Sequence, residues 1–297
     1  MSPLKANLLC LASMLVWASG LPAAEYLIGP IPPLPLTAMR MALAAAALLP
    51  VWILLDGWQV VVRAPWIRGI LIGGLMLGLA GFLLVLAQAA SGPVTVAVIS
   101  ATMPVLGIAL ESLLDGRRIT LTVVLGVGLS LAGGLIAYAE AMGTFSLGFG
   151  ALCAFGSILC YTLGSRLTVT ALPDLTPVGR TALTLAGAAI ATGIAVLIAA
   201  AFGASGPDWA ALGGREALAL AVFALLGLSL TQMLWIAAVG HLGIGVASLH
   251  MNAAPFYVML FLFALGDPWN WTQAFGALIV GAGVLIAQSS RPAPVTA

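Results

Sequence analysis

The sequence predicts an all-α integral membrane protein, with ten transmembrane helices forming two inverted five-helix repeats around a central cavity. Three observations carry this. The chain is 62% hydrophobic and 6% charged over 297 residues, with a mean hydropathy of +1.18, which leaves too little polar surface to cover a soluble globule. Apolar runs of about 20 residues, the length that spans a bilayer, recur along the whole chain. The second half also repeats the first.

Taken in order, the runs lie near 6–24, 35–55, 66–88, 92–114, 121–139, 146–164, 176–202, 215–238, 243–265 and 270–289. The connections between them are short, so no extramembrane domain fits. The opening run, Lys5 followed by apolar residues ending in "LPAAEY", has the look of a secretory signal, but its partner in the sixth run argues that it is retained. Short cytoplasmic loops are rich in Lys and Arg. With the amino terminus inside, Lys5, Arg63, Arg68, Arg117, Arg118, Arg166 and Arg291 are cytoplasmic and only Arg215 is outside. Both termini are therefore expected in the cytoplasm, in an inner (plasma) membrane. Trp52, Trp58 and Trp66 then mark the inner interface and Trp209, Trp269 and Trp271 the outer one, while Trp17 and Trp235 lie within runs. The net charge of +1 points to no nucleic acid. Cys10, Cys153 and Cys160 read as small packing residues; no metal-ligand spacing and no cofactor motif is visible.

The repeat is explicit. "GPVTVAVISATMP" (92–104) aligns with "GIGVASLHMNAAP" (243–255), Gly92 over Gly243 and Pro104 over Pro255. At a nearly equal offset, Gly116, Thr122, Gly126, Gly133 and Leu135 fall on Gly266, Thr272, Gly276, Gly283 and Leu285. Earlier, Ser13, Trp17 and Gly20 match Ser157, Tyr161 and Gly164, and Arg40 matches Arg180. Two units follow, 1–143 and 144–297. Each holds an odd number of spans, so the second enters the membrane from the opposite side. Inverted repeats related by a two-fold axis in the membrane plane are a recurring plan of secondary transporters, with the cargo site at midplane between the copies.

Polar residues inside apolar runs are the candidate path. In the ninth run, Ser248, Met251, Asn252 and Pro255 share one helical stripe, and their counterparts in the fourth run are Ala97, Ser100, Ala101 and Pro104. Pro104 and Pro255 are read as hinges, because proline removes a backbone hydrogen bond. Ser13 and Trp17 in the first run, Tyr161 in the sixth, Gln232 and Trp235 in the eighth and Phe82 in the third complete the expected cavity wall; hydrogen bonding between neighbouring helices is the alternative for the hydroxyls and amides. His250 points away from the stripe of Ser248 and Asn252. It is either a proton-sensitive group or a neutral ring bonded between helices. Arg40 and Arg180 sit near the starts of the second and seventh runs; anchoring to loop carbonyls is the first reading, screening of charged cargo the second. The acids lie at or beyond run ends, with Glu111 a turn inside, so a pump working through a midplane carboxylate is disfavoured. Phosphorylated cargo is also disfavoured, since the expected stripes contain no Lys or Arg. Two histidines nine residues apart, no "HExxH" and no midplane acid pair argue against an intramembrane enzyme.

"PLTAMR" paired with "LTPVGR", the proline closing each fourth-and-ninth stripe, and "LGDPWNWTQAFGALIVGAGVLI" make the whole chain resemble the drug/metabolite transporter superfamily, in particular its EamA-type ten-helix exporters. Within that family it looks most like bacterial aromatic amino-acid exporters. The resemblance implies a basket with helices 1, 3, 4, 6, 8 and 9 around a cavity and 5 and 10 at one side, a small amphipathic cargo, and the wall residues above. Family members commonly carry "LGER" after helices four and nine; here "DGRR" and "LGDP" stand there. The glutamate that small multidrug pumps place within the first helix has only Glu25 as a counterpart, at the outer end. The oligomeric state is left open, and a monomer is compatible with the sequence.

Overall fold

Apolar runs without polar alternation can satisfy their backbone only internally, and in lipid that means helix. A computed structural model describes residues 1–100, 102–116, 118–137, 148–254, 256, 257, 260, 263, 269 and 271–289. Among these the regular structure is helical throughout. Pro255, the unit boundary at 143/144 and much of the end of the ninth run lie outside the described residues.

The first helix, α1 (Pro3–Ile28), starts where the Ser2 hydroxyl accepts from Lys5 N at 3.3 Å and Pro3 occupies the first turn, where its missing N–H costs nothing. Next come α2 (Pro33–Asp56) and a short α3 (Trp58–Arg63). The fourth, α4, opens as Trp66–Ile72, widens into a π-helix over Gly73–Gly78 and continues as Leu79–Ser100. Then follow α5 (Met103–Asp115), α6 (Leu121–Ala137), α7 (Phe149–Thr170) and α8 (Pro177–Ala201). The next, α9 (Gly214–Leu242), contains a second π-helix, Val222–Leu230. Its successor α10 (Ile244–Ser248) tightens into a 3-10 segment over Leu249–Ala253, and α11 (Trp271–Ser289) is the last. Among the described residues six helices are long and apolar enough to cross a membrane, and shorter apolar helices cover Leu121–Gly133 and Ala274–Ala287.

Two boundaries correct the sequence reading. No break separates the third run from the fourth at residues 89–91; the helical pattern runs on to Ser100, and the interruption falls at Thr102. Pro104 therefore sits in the first turn of α5, where proline fits the helix start, and the discontinuity before it supplies whatever bending the chain has there. In the ninth run the 3-10 winding turns 120° per residue. Ser248 and Met251 stay aligned, but Asn252 is carried off the single α-helical stripe that was expected.

Packing pairs the two halves. Close contacts join α1 with α9, α4 with α7, α2 with α8, α5 with α10 and α6 with α11, and α4 also packs on α8 as α2 does on α9. Exchanging α1 with α7, α2 with α8, α4 with α9, α5 with α10 and α6 with α11 leaves this set of pairs unchanged. Glycine permits the closest approach: a side chain at Gly126 would meet Gly283 O at 2.6 Å, and one at Gly133 would meet Gly276 O at 2.6 Å. The outside is apolar, with Leu54, Leu113, Leu152, Leu197 and Phe202 exposed, whereas Ser13, Thr37, Ser130, Ser157, Thr181 and Gln232 are buried. Polar inside and greasy outside is the distribution a bilayer imposes.

Candidate functional site

Between the halves lies a cavity with about 70 Å³ of space reachable by the centre of a water molecule, room for about five waters. Drug-sized ligands occupy sites of about 300 Å³ or more, so cargo of that size would need the walls to part. The sides are apolar and soft: Met14, Met41, Met103 and Met251 line the space with Leu77, Leu84 and Leu185. Thioethers adapt to irregular shapes. Trp17 and Tyr161 provide aromatic faces, and Ser100, Ser157, Thr231, Gln232 and Arg40 provide the polar atoms. Every helix from α1 to α9 except α3 and α6 contributes, and the segment after α10 adds Met251.

The π-helix of α9 shapes the polar side. Widening of the turn changes which carbonyls are bonded within the helix. The guanidinium of Arg40 donates Nε to Phe223 O at 3.2 Å and Nη2 to Gly227 O at 2.9 Å, while its carbon lies 3.8 Å from the centroid of the Phe223 ring. Next to it, the Tyr161 hydroxyl donates to Gln232 Oε1 at 2.9 Å, and Gln232 Nε2 is buried with no hydrogen-bond partner among the described residues. Ser157 Oγ donates to Ala80 O at 2.8 Å, joining α7 to α4.

Of the residues expected at the wall, the structure brings together Trp17, Ser100, Tyr161, Gln232 and Met251. Others face elsewhere. Ser13 Oγ donates to Thr231 O at 2.9 Å, Ser248 Oγ to Gly245 O at 2.8 Å, and Asn252 Nδ2 to Ser130 Oγ at 2.9 Å. Trp235 is fully buried behind Tyr161, ring centroids 6.0 Å apart, with its indole N–H donating to Ser165 Oγ at 3.0 Å. Phe82 lines a separate groove with Pro32–Pro35 and Pro207, because Leu77, Gly81 and Leu84 hold the cavity face of α4. His250 is buried outside the cavity with Nδ1 3.2 Å from Ala247 O, a contact in which Nδ1–H donates to the carbonyl. No cluster of three or more metal-ligating side chains occurs among the described residues.

Arg40 is what the sequence reading placed wrongly. It lies two turns inside α2, about 10 Å from the helix start at 1.5 Å per residue, and is 3% exposed. Its repeat partner Arg180 is one turn inside α8 and donates to Leu172 O and Pro173 O, both at 2.8 Å, as a loop anchor. In the sequence both arginines fall near the starts of their runs, and neither the difference in depth nor the neighbours was read from it. The premise that the path contains no basic residue therefore fails.

Glu111 is also buried, a turn before the end of α5. Its carboxylate accepts from Gly245 N at 2.9 Å at the start of α10, where free N–H groups favour an anion. Asp115, at the end of α5, is bound by Arg166 of α7. That hydrogen bond, more than the charge alone, holds the Asp115 carboxyl below its usual range.

A chain whose described residues are helical throughout, with a lipid-like exterior and an interior cavity between two sets of helices, has the build of a multi-pass membrane transporter. The model of the EamA-like transporter family matches it twice, over residues 4–139 and 148–288, and the chain belongs to that family. "Uncharacterized transporter YyaM" of Bacillus subtilis (strain 168) is 25% identical over 273 residues, 89% of this chain and 87% of that protein. A solved structure titled only "Crystal structure of protein" superposes with a TM-score of 0.78 at 20% identity, over 97% of this chain and 98% of its own. That likeness speaks for the fold. Family and relative are transporters by name, not enzymes, and neither name states a cargo.

Proposed function

We propose that this protein exports small amphipathic metabolites, aromatic or other hydrophobic amino acids, across the bacterial inner membrane by alternating access of two inverted five-helix units. In this reading there are ten spans, both termini are cytoplasmic, and the units are 1–143 and 144–297. The observation that carries it is the cavity itself: Trp17, Tyr161 and four methionines around a few hydroxyls, an amide and a guanidinium. Such a wall suits an apolar side chain joined to a polar head. Shielding an aromatic side chain from water at about 25 cal/mol per Å² gives a few kcal/mol, enough for export from a concentrated pool. The exchange symmetry of the helix pairs, and the π-helices in both α4 and α9, support two states related by swapping the conformations of the halves.

The second reading keeps the fold and changes the cargo to drugs or other metabolites; Arg40 weakens it for cationic drugs, because a fixed positive charge repels such cargo. The test is uptake of labelled tryptophan, phenylalanine, threonine and a sugar into proteoliposomes, with and without a pH gradient. Tryptophan and phenylalanine should move faster than threonine, the sugar should stay out, and the gradient should leave the rates unchanged. Equal leakage of all four, or flux of the sugar alone, overturns the reading of the cargo. Gradient-driven flux overturns uncoupled export and would bring His250 into the mechanism.

A further inference from the structure

We propose that Arg40 and Gln232 form a subsite for an organic carboxylate, so that cargo must carry that group while a bare amine is refused. The proposal rests on the reading of the central cavity as the cargo site. Its first ground is an uncompensated charge. A guanidinium stays protonated in proteins, and burying it without an anion is strongly unfavourable. Yet among the described residues no carboxylate pairs with Arg40; its partners are the carbonyls of Phe223 and Gly227 and the face of the Phe223 ring. Those two bonds use two of its five donors. The others remain for a ligand, in the planar fork that matches a carboxylate.

The second ground is independent. Gln232 is 1% exposed, lines the same cavity, and leaves Nε2 without an acceptor. Buried amides almost always find partners. Tyr161 fixes its orientation by occupying Oε1. The cavity is thus rich in donors and has no acid among its described lining residues. A carboxylate would satisfy Arg40 and Gln232 together, whereas an ammonium group alone would meet a like charge. Arg180, committed to Leu172 and Pro173, offers no second subsite.

The experiment measures thermal unfolding of the purified, full-length protein with matched acids and amines: indole-3-propionate against tryptamine, and 4-methylvalerate against isoamylamine. A ligand that binds only the folded state raises the midpoint with its concentration. The acids should act at concentrations about tenfold or more below the amines, the ratio expected for hydrogen bonds to a charged group. Arg40→Gln should abolish the difference and Arg40→Lys should keep part of it. Gln232→Glu retains the acceptor for Tyr161 but brings a competing carboxylate, and should also abolish the preference; it decides the matter if Arg40→Gln does not fold. Amines as effective as acids, no response to either acid, or an acid preference unchanged in the variants would overturn the subsite. Acid preference without tryptophan flux keeps the subsite and removes the aromatic amino-acid reading. Tryptophan flux inhibited equally by tryptamine and indole-3-propionate does the reverse.

Discussion

Trp17 and Trp235 look alike in sequence, each an indole inside an apolar helix, but only Trp17 borders the cavity. Trp235 is enclosed, in tilted ring contact with Tyr161 and bonded to Ser165. Trp17→Ala should therefore lower tryptophan flux about tenfold with little change in unfolding temperature, because an aromatic contact to cargo is lost. Trp235→Ala should destabilise the protein by about 2 kcal/mol or more, through a cavity and a Ser165 hydroxyl left without its donor. Flux in proteoliposomes and thermal unfolding in detergent separate the two, and the opposite pattern would mean that the wall is misassigned. The comparison also shows what the sequence could tell. Periodicity places Gln232 and Trp235 on adjacent turns of one face, yet which neighbouring helix covers that face is a tertiary fact. Trp17, Tyr161 and Met251, which repeat and spacing put on the expected wall, line the cavity. Asn252 was expected there and lies off it, since a 3-10 turn has no reliable signature in "LHMNA", and Arg40 was not expected there, since position in a helix does not reveal what surrounds it.

At the scale of elements, the glycine pairs between α6 and α11 carry the packing. A methyl at Gly126 would press on Gly283 O and Ala287 N, one at Gly283 on Gly126 O and Ser130 N, and one at Gly133 on Gly276 O. Backbone cannot step aside as a flexible side chain can. Gly126→Ala and Gly283→Ala should each cost about 1–3 kcal/mol, the usual penalty of overpacking. Gly128 and Gly281 lie on the same two helices with nothing near their added methyl; alanine there should leave the unfolding temperature unchanged or raise it, since alanine favours helix. Equal effects at all four sites would refute the close approach. The repeat made this contact readable in advance, because Gly126 and Gly133 recur as Gly276 and Gly283 at one offset, and small residues are what membrane helices use to touch. The run of α4 past residue 91 was hidden, because Ser91, Gly92 and Pro93 have the composition of a turn while the backbone there remains helical.

For the whole molecule, the alternating access proposed above would need contacts between the halves that hold one end shut and are easily released. The Arg166–Asp115 pair joins α7 to α5 across the halves, at the end where the basic residues predict the cytoplasm, and Glu111 ties the same helix to Gly245 beside it. Asp115 is half-exposed, so its pair with Arg166 is worth about 0–1 kcal/mol, which can shift an open–closed ratio by up to about fivefold. The sign with pH follows from the depressed carboxyl of Asp115. The pair is intact at neutral pH and is lost only as pH falls through a value below the ordinary aspartate range of about 3.9. Acidification from about pH 7 to about pH 5 should thus leave this contact unchanged, well above that range. Asp115→Asn removes it at any pH. In a chain whose three cysteines are replaced, Ser100→Cys places a thiol at the cavity, and a membrane-impermeant maleimide added from the cytoplasmic face reads how often that end opens. Labelling should rise by up to about fivefold in Asp115→Asn and in Arg166→Gln, with no further rise in the double variant, since both remove one interaction. Labelling unchanged by either substitution, or additive in the double variant, would mean that this pair anchors a loop and does not close the cytoplasmic end.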